Sequence, residues 1–218
     1  MIEKIYFDDT TYIWKTKLNL VENKSKLLKE SYELIKSMPE NTTDGFGYTR
    51  IWNNDLNFIG NIDVESCIDK IVQSGINECK KLWEETNSSY NKINIDAWVN
   101  VVRSINPKQI QLKYNEIKGV DKYHSHTEIN KKNKNFYPHY TYVYYIQMPD
   151  VMEGEDGVLY FKGENNKEYW IRPEEDDLII MHGHMPHTPN NAPKSTIDRV
   201  VIAGNIGFEY IKKEKSIL

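Results

Sequence analysis

All six histidines of this 218-residue chain lie between residues 124 and 187, and five of them form two short clusters. In the first cluster His124, His126 and Glu128 stand at alternate positions. Side chains at alternate positions of a strand share one face, so these three are predicted to point the same way. Neutral imidazole and carboxylate groups suit divalent iron, and a facial set of three ligands leaves coordination positions open for substrate and oxygen. The first cluster therefore predicts part of a metal site that needs a further ligand from a distant strand.

The second cluster contains His182, His184 and His187, and it follows a strand-like run over 177–181. One residue of the turn after that strand is enough to complete a metal site. We predict that His187, which precedes Thr188-Pro189, is this ligand. His182 and His184 are predicted to have structural or supporting roles.

Hydrophobic periodicity indicates which elements position the histidines. Apolar residues at positions i, i+4 and i+7 predict an amphipathic helix over 22–37, and a 3.6-residue period predicts the longest helix from Asp63, its N-cap, through Trp83. A loop is predicted between them, to about residue 62. Strands are predicted at 98–102, 110–114, 141–148, 157–161, 168–171, 177–181 and 198–208.

An N-terminal helical part followed by consecutive short strands is typical of the α+β class with an antiparallel sandwich or barrel. No internal repeat or linker divides the chain, so one domain over 1–218 is predicted, with helical support in 1–94 and the strands in 95–210. The sequence carries 28 Lys and Arg against 32 Asp and Glu, a net charge of −4, which disfavours nucleic-acid and membrane-surface partners.

The same composition bears on location and redox chemistry. No apolar run approaches the length of a membrane-spanning helix, and the acidic N-terminus does not resemble a secretory signal, so a cytoplasmic location is expected. Cys67 and Cys79 are twelve residues apart in the predicted long helix. They would be separated by about 18 Å, which is too far for a disulfide, so both are predicted to be reduced core thiols.

Several further motifs accompany the histidines, and they are Trp98-Val99-Asn100, Tyr114, His124-x-His126, Tyr144-Tyr145-Ile146, the runs 157–161 and 177–181, His187, and Arg199 to Ile206. Their order resembles that of the Fe(II)- and 2-oxoglutarate-dependent oxygenases. The similar branch is the prolyl-hydroxylase-like group common in tailed phages and marine bacteria, and the resemblance covers roughly residues 95 to 208. It implies a double-stranded β-helix, a cupin-like jelly roll, packed against N-terminal helices.

The resemblance implies that His124 and His187 are metal ligands. The family's usual carboxylate falls on His126, which is a departure from the pattern. Either three histidines bind the metal, or the register shifts and His126 with Glu128 supplies a histidine and a carboxylate. Charge favours Glu128, but spacing favours the set His124, His126 and His187, which we predict to be the metal ligands.

The resemblance also implies a 2-oxoglutarate co-substrate whose far carboxylate meets a buried arginine. Arg199 is the positional match, and a guanidinium can bind a carboxylate through two parallel hydrogen bonds. A hydroxyl residue often stands two positions later in the family, but here that residue is Val201. Tyr145 or Tyr114 is predicted to donate the missing hydrogen bond.

The expected function is a hydroxylase that uses Fe(II) and 2-oxoglutarate on a small-molecule or peptide substrate, for example a prolyl side chain. Two alternatives stay open: a cupin-like three-histidine dioxygenase that needs no keto acid, and a non-catalytic β-sandwich that holds a structural ion. An inward-facing Arg199 separates the first from the second. The basic and aromatic segment 129–140 follows the metal motif and is either a cover for the site or a solvated hairpin.

Overall fold

The computed structural model describes residues 2–37, 48–54, 66–86, 89–102, 123–127, 137–164, 166–190, 192 and 194–209. Within these residues the chain forms ten strands, two α-helices and one turn of 3-10 helix at Val21–Asn23. The helices are α1 (Lys24–Ser37) and α2 (Cys67–Thr86). The strands are β1 (Glu3–Tyr6), β2 (Tyr12–Lys17), β3 (Tyr48–Asn54), β4 (Lys92–Val102), β5 (Tyr140–Gln147), β6 (Leu159–Lys162), β7 (Glu168–Ile171), β8 (Asp177–His182), β9 (His187–Pro189) and β10 (Arg199–Glu209).

The strands form two antiparallel sheets. The larger sheet has seven strands in the order β1-β2-β8-β5-β10-β4-β3, and the smaller has three in the order β7-β6-β9. The long central strand β10 is buried along almost its whole length and pairs with β4 over eleven residues and with β5 on its other side. A central strand covered on both faces is apolar almost continuously, which explains the run from Val200 to Phe208.

The outer face of the large sheet packs against the helices. Alternate residues of β5, including Tyr140, Tyr142 and Tyr144, join one apolar core with α1 and α2. Gly75 of α2 lies against the ring of Tyr142, where a Cβ would come within 2.8 Å of the ring carbons. A residue without a side chain at this point lets the helix approach the sheet closely.

The inner face of the large sheet packs against the small sheet. Tyr145 and Ile179 of the large sheet share an apolar core with Leu159 and Phe161 of β6. Sheet-on-sheet packing of this kind leaves a layer between the sheets, and the candidate site lies in that layer.

The predicted fold class is confirmed at the level of mostly antiparallel sheets with two helices. Both predicted helices are present, although the second begins at Cys67 rather than just after Asp63. Cys67 and Cys79 are both buried and form no disulfide. The strand predicted at 110–114 lies outside the described residues. Of the described helices, none combines the length and the apolar character that crossing a membrane requires.

The region 1–94, predicted to be a helical support, contains strands as well as the two helices. β1, β2 and β3 all lie within it, and β3 replaces part of the predicted loop. The first two strands are short, and their place is fixed by long-range pairing of β2 with β8 rather than by local periodicity. The turn between them is closed by Asp8, whose carboxylate accepts hydrogen bonds from the amides of Thr10 and Thr11.

Candidate metal centre

The first histidine cluster is held beside the small sheet. His124 forms an isolated antiparallel bridge with His187 of β9, through reciprocal backbone hydrogen bonds of 3.2 and 3.0 Å. The prediction that this segment is an extended strand was wrong beyond that bridge, because His126 and Thr127 have helical backbone conformation. Their amides instead donate to the carbonyl of Gly183, in the turn after β8. The two histidine clusters are therefore joined through the backbone as well as at the side chains.

The imidazoles of His124, His126 and His187 converge. One nitrogen from each lies within 4.8 Å of the other two, and among the described residues this is the one such group of three. The Nε2 atoms of His126 and His187 are 3.3 Å apart. The ring centroids of His124 and His187 are separated by 4.5 Å, and those of His124 and His126 by 5.2 Å.

A backbone contact orients the His187 ring. Its Nδ1–H donates to the carbonyl oxygen of Met185 over 2.9 Å. With the proton on Nδ1, the lone pair of Nε2 points toward the other imidazoles. Metal-binding histidines are commonly oriented by this kind of hydrogen bond.

Burial keeps the three imidazoles neutral. It lowers the pKa of His187 to about 3, with a smaller contribution from the neighbouring charge of His124. Burial is also the main reason that the pKa of His126 is well below its usual value and that of His124 is lowered. Neutral imidazole is the form that binds metal, so the residues present fit a divalent ion such as Fe(II).

A cavity of about 90 Å³ opens beside the three histidines. Arg199 and Tyr145 line it, and their side chains are only 6% and 3% exposed. Arg199 Nη1 donates to the carbonyl oxygen of Asn190 over 2.9 Å. Burial raises the pKa of Tyr145, while the charge of Arg199 acts in the opposite direction. Arg199 therefore points inward from β10, as strand alternation predicts.

Two predicted site residues lie outside the described part of the chain. They are Tyr114, one of the expected hydrogen-bond donors, and Glu128, the alternative metal ligand. The predicted covering segment 129–140 is described only from residue 137 onward. The roles assigned to these residues stay predictions.

His182 and His184 lie away from the cavity. His182 Nε2 shares a hydrogen bond of 3.0 Å with the Tyr12 hydroxyl, and its ring packs edge-on against Trp14. The ring of His184 stacks on that of His182 and is exposed. Both rings belong to an aromatic cluster with Tyr12 and Trp14 of β2.

Sequence reasoning did not assign roles to three polar or aromatic residues of the cavity. Trp98 lies beside His126, with ring centroids 5.5 Å apart, and Asn100 follows it on the same face of β4. Thr141 also lines the cavity, and its hydroxyl donates to Asn205 Oδ1 over 2.8 Å. Alternation along β4 could have placed Trp98 and Asn100 together, but only the pairing of β4 with β10 shows which face they occupy.

Comparison with solved structures places this site in a known fold. A prolyl-4-hydroxylase from Pseudomonas putida superposes with a TM-score of 0.53 at 11% identity, over 88% of this chain and 90% of the other. A Trichoplax adhaerens prolyl hydroxylase in complex with a hypoxia inducible factor peptide fragment gives 0.52 at 15% identity, over 88% and 82%. The chain has the fold of these prolyl hydroxylases.

A third structure has a similar degree of likeness. The protein described as IDO from Bacillus thuringiensis gives a TM-score of 0.54 at 10% identity, over 90% of both chains. No family model and no curated protein matches the sequence. At these identities the likeness establishes the fold, and the chemistry has to be argued from the cavity itself.

Proposed function

We propose that the chain is a double-stranded β-helix dioxygenase that uses Fe(II) and 2-oxoglutarate to hydroxylate an organic substrate. The single observation that carries this proposal is the meeting of three neutral imidazoles and a buried arginine at one cavity. The shared fold with prolyl hydroxylases supports it. Three imidazoles alone, or a buried arginine alone, would not indicate a keto-acid co-substrate.

His124, His126 and His187 are the proposed holders of the metal. Three protein ligands leave positions for further groups, as in non-haem iron sites. Bound Fe(II) would supply the oxidative chemistry that no protein side chain provides. The Met185 carbonyl keeps the His187 ring in the orientation and tautomer that direct its Nε2 inward.

Arg199 is the proposed partner of the far carboxylate of 2-oxoglutarate. Its guanidinium lies in the cavity with the imidazoles, so a dicarboxylate can meet both ends of this site. A buried guanidinium and a carboxylate form a charge-assisted pair of high directional specificity. Burial raises the pKa of Tyr145, so its hydroxyl stays protonated at neutral pH and can donate a hydrogen bond to the same ligand.

The proposed substrate is a small molecule or a peptide side chain such as proline. Two proteins of the same fold are prolyl hydroxylases, and one of them is in complex with a peptide fragment. Trp98 offers an aromatic wall next to His126, which suits contact with an aliphatic ring.

Anaerobic spectroscopy tests the proposal without knowledge of the substrate. Addition of 2-oxoglutarate to the Fe(II)-loaded protein should produce a weak visible charge-transfer band that succinate does not produce. Metal binding without this band would favour a three-histidine dioxygenase that needs no keto acid, or a structural ion. Failure to bind metal would overturn the proposal.

A further inference from the structure

The pairing of β4, β5 and β10 arranges the cavity wall in successive levels. Trp98 pairs with Ala203, and Asn100 pairs with Val201. Val201 also pairs with Tyr145 of β5 on its other side. Directly paired residues of neighbouring strands lie side by side, so Asn100 and Tyr145 flank Val201 on the cavity wall.

The middle level, formed by Asn100, Val201 and Tyr145, separates the three imidazoles from Arg199. Trp98, one level before, contacts His126 of the metal group. Arg199 stands two residues before Val201 on β10, on the opposite side of the middle level. Successive levels are about 6.7 Å apart along the strands, because each is two residues from the next. An extended five-carbon dicarboxylate that reaches from the metal toward Arg199 must therefore pass the level of Asn100.

Asn100 has a hydrogen-bonding group available there. Its Oδ1 is buried and receives no hydrogen bond from any residue that the structure describes. A buried amide without a partner is costly in free energy, and rotation about its last side-chain bond exchanges the oxygen and the nitrogen. By contrast, the neighbouring Thr141 hydroxyl is already bonded to Asn205. The amide of Asn100 therefore has an unpartnered buried atom on the cavity wall, whereas the Thr141 hydroxyl does not.

We infer that Asn100 is a binding residue for 2-oxoglutarate, whose side-chain amide N–H donates to an oxygen of the co-substrate opposite the Tyr145 hydroxyl. The inference rests on the proposed function. Val201 cannot form a hydrogen bond at this level, and Asn100 and Tyr145 supply the polar groups on either side of it. A ligand composed of carboxylates and a carbonyl offers acceptors only, so a donor is what the site must present.

Three variants test this assignment. Asn100→Ala removes the amide, Asn100→Asp replaces the donor with a negative acceptor of the same shape, and Asn94→Ala is the matched control. Asn94 lies on the same face of β4, about 20 Å along the strand, and its amide donates to Glu209 rather than lining the cavity. For each protein, metal stoichiometry and the urea midpoint are measured first, so that loss of metal or of the fold is recognised.

The affinity for 2-oxoglutarate is then measured from the anaerobic charge-transfer band. We expect Asn100→Ala to weaken binding by about tenfold and Asn100→Asp by about a hundredfold or more, since the carboxylate also repels the ligand. Asn94→Ala should leave the affinity unchanged.

The outcomes separate the inference from the function on which it rests. A band in the unsubstituted protein together with unchanged affinity in both Asn100 variants would overturn the inference alone. Equal or tighter binding in Asn100→Asp would show that no N–H of Asn100 donates to the ligand, and would also overturn it. Absence of the band in the unsubstituted protein would overturn the proposed function and the inference together.

Discussion

At the level of single residues, the proposed metal centre depends on the orientation of His187. Its Nε2 faces the other imidazoles because Nδ1–H is held by the Met185 carbonyl. His187→Ala leaves two imidazoles, and we expect it to abolish stoichiometric Fe(II) binding at neutral pH. Metal content after gel filtration under anaerobic conditions measures the effect. The control is His184→Ala. His184 lies three residues earlier and its side chain is exposed, so this variant should bind Fe(II) as the unsubstituted protein does. Full metal content in the His187 variant would contradict the three-histidine site.

Arg199 permits a second test at this scale, one that separates co-substrate binding from metal binding. Arg199→Leu should keep Fe(II) but weaken 2-oxoglutarate binding by about ten- to a hundredfold, the range of a charge-assisted pair. Arg199→Lys should recover part of the affinity, because a point charge cannot reproduce two parallel hydrogen bonds. The anaerobic visible band reports both variants. An affinity unchanged by leucine would remove the reason to prefer a keto-acid enzyme over a simpler metal-binding protein.

At the level of elements, the contact between α2 and the large sheet depends on one glycine. A methyl group at Gly75 would meet the Tyr142 ring at 2.8 Å, and the other side of that ring is confined by Gly204 of β10. Gly75→Ala gains about 1 kcal/mol of helix propensity but overpacks the contact, so we expect a net loss of about 1–2 kcal/mol in the free energy of unfolding. Urea denaturation measures it.

The same helix supplies the control for the glycine. Asn77 is exposed on α2, so Asn77→Ala should be neutral or slightly stabilising, since it changes propensity without changing the packing. A Gly75→Ala variant as stable as Asn77→Ala would mean that the helix can shift away from Tyr142 at little cost.

The elements also show how far sequence reasoning reached. The inward direction of Arg199 followed from alternation along β10, and α1 and α2 followed from their periodicity. The first histidine cluster could not be placed by the same rule, because His126 leaves the extended conformation and its amide bonds to Gly183 instead. Asn100 was beyond sequence reasoning for a related reason, since its neighbour Val201 belongs to a strand about a hundred residues away.

At the level of the whole molecule, the fold holds buried and half-buried histidines in the neutral form, which makes its stability depend on pH. Burial lowers the pKa of His187 to about 3 and that of His182 to about 4, both below the ordinary value near 6.5. The unfolded chain therefore binds more protons than the folded chain between these values. It follows that the free energy of unfolding is greatest above pH 6.5 and falls as the pH decreases toward 4.

Urea denaturation of the metal-free protein at pH 7, 6, 5 and 4.5 should show this fall as a progressive decrease in the midpoint. His182→Gln removes a half-buried imidazole of lowered pKa that lies outside the three-histidine group, so its midpoint should depend less steeply on pH than that of the unsubstituted chain. Saturating Fe(II) should raise the midpoint at pH 7 and lose its effect in acid, because protons compete with the metal for the imidazoles. A midpoint of the metal-free protein that stays constant from pH 7 to 4.5 would show that these histidines have the same pKa values in the folded and unfolded chains, and would contradict their burial as neutral groups.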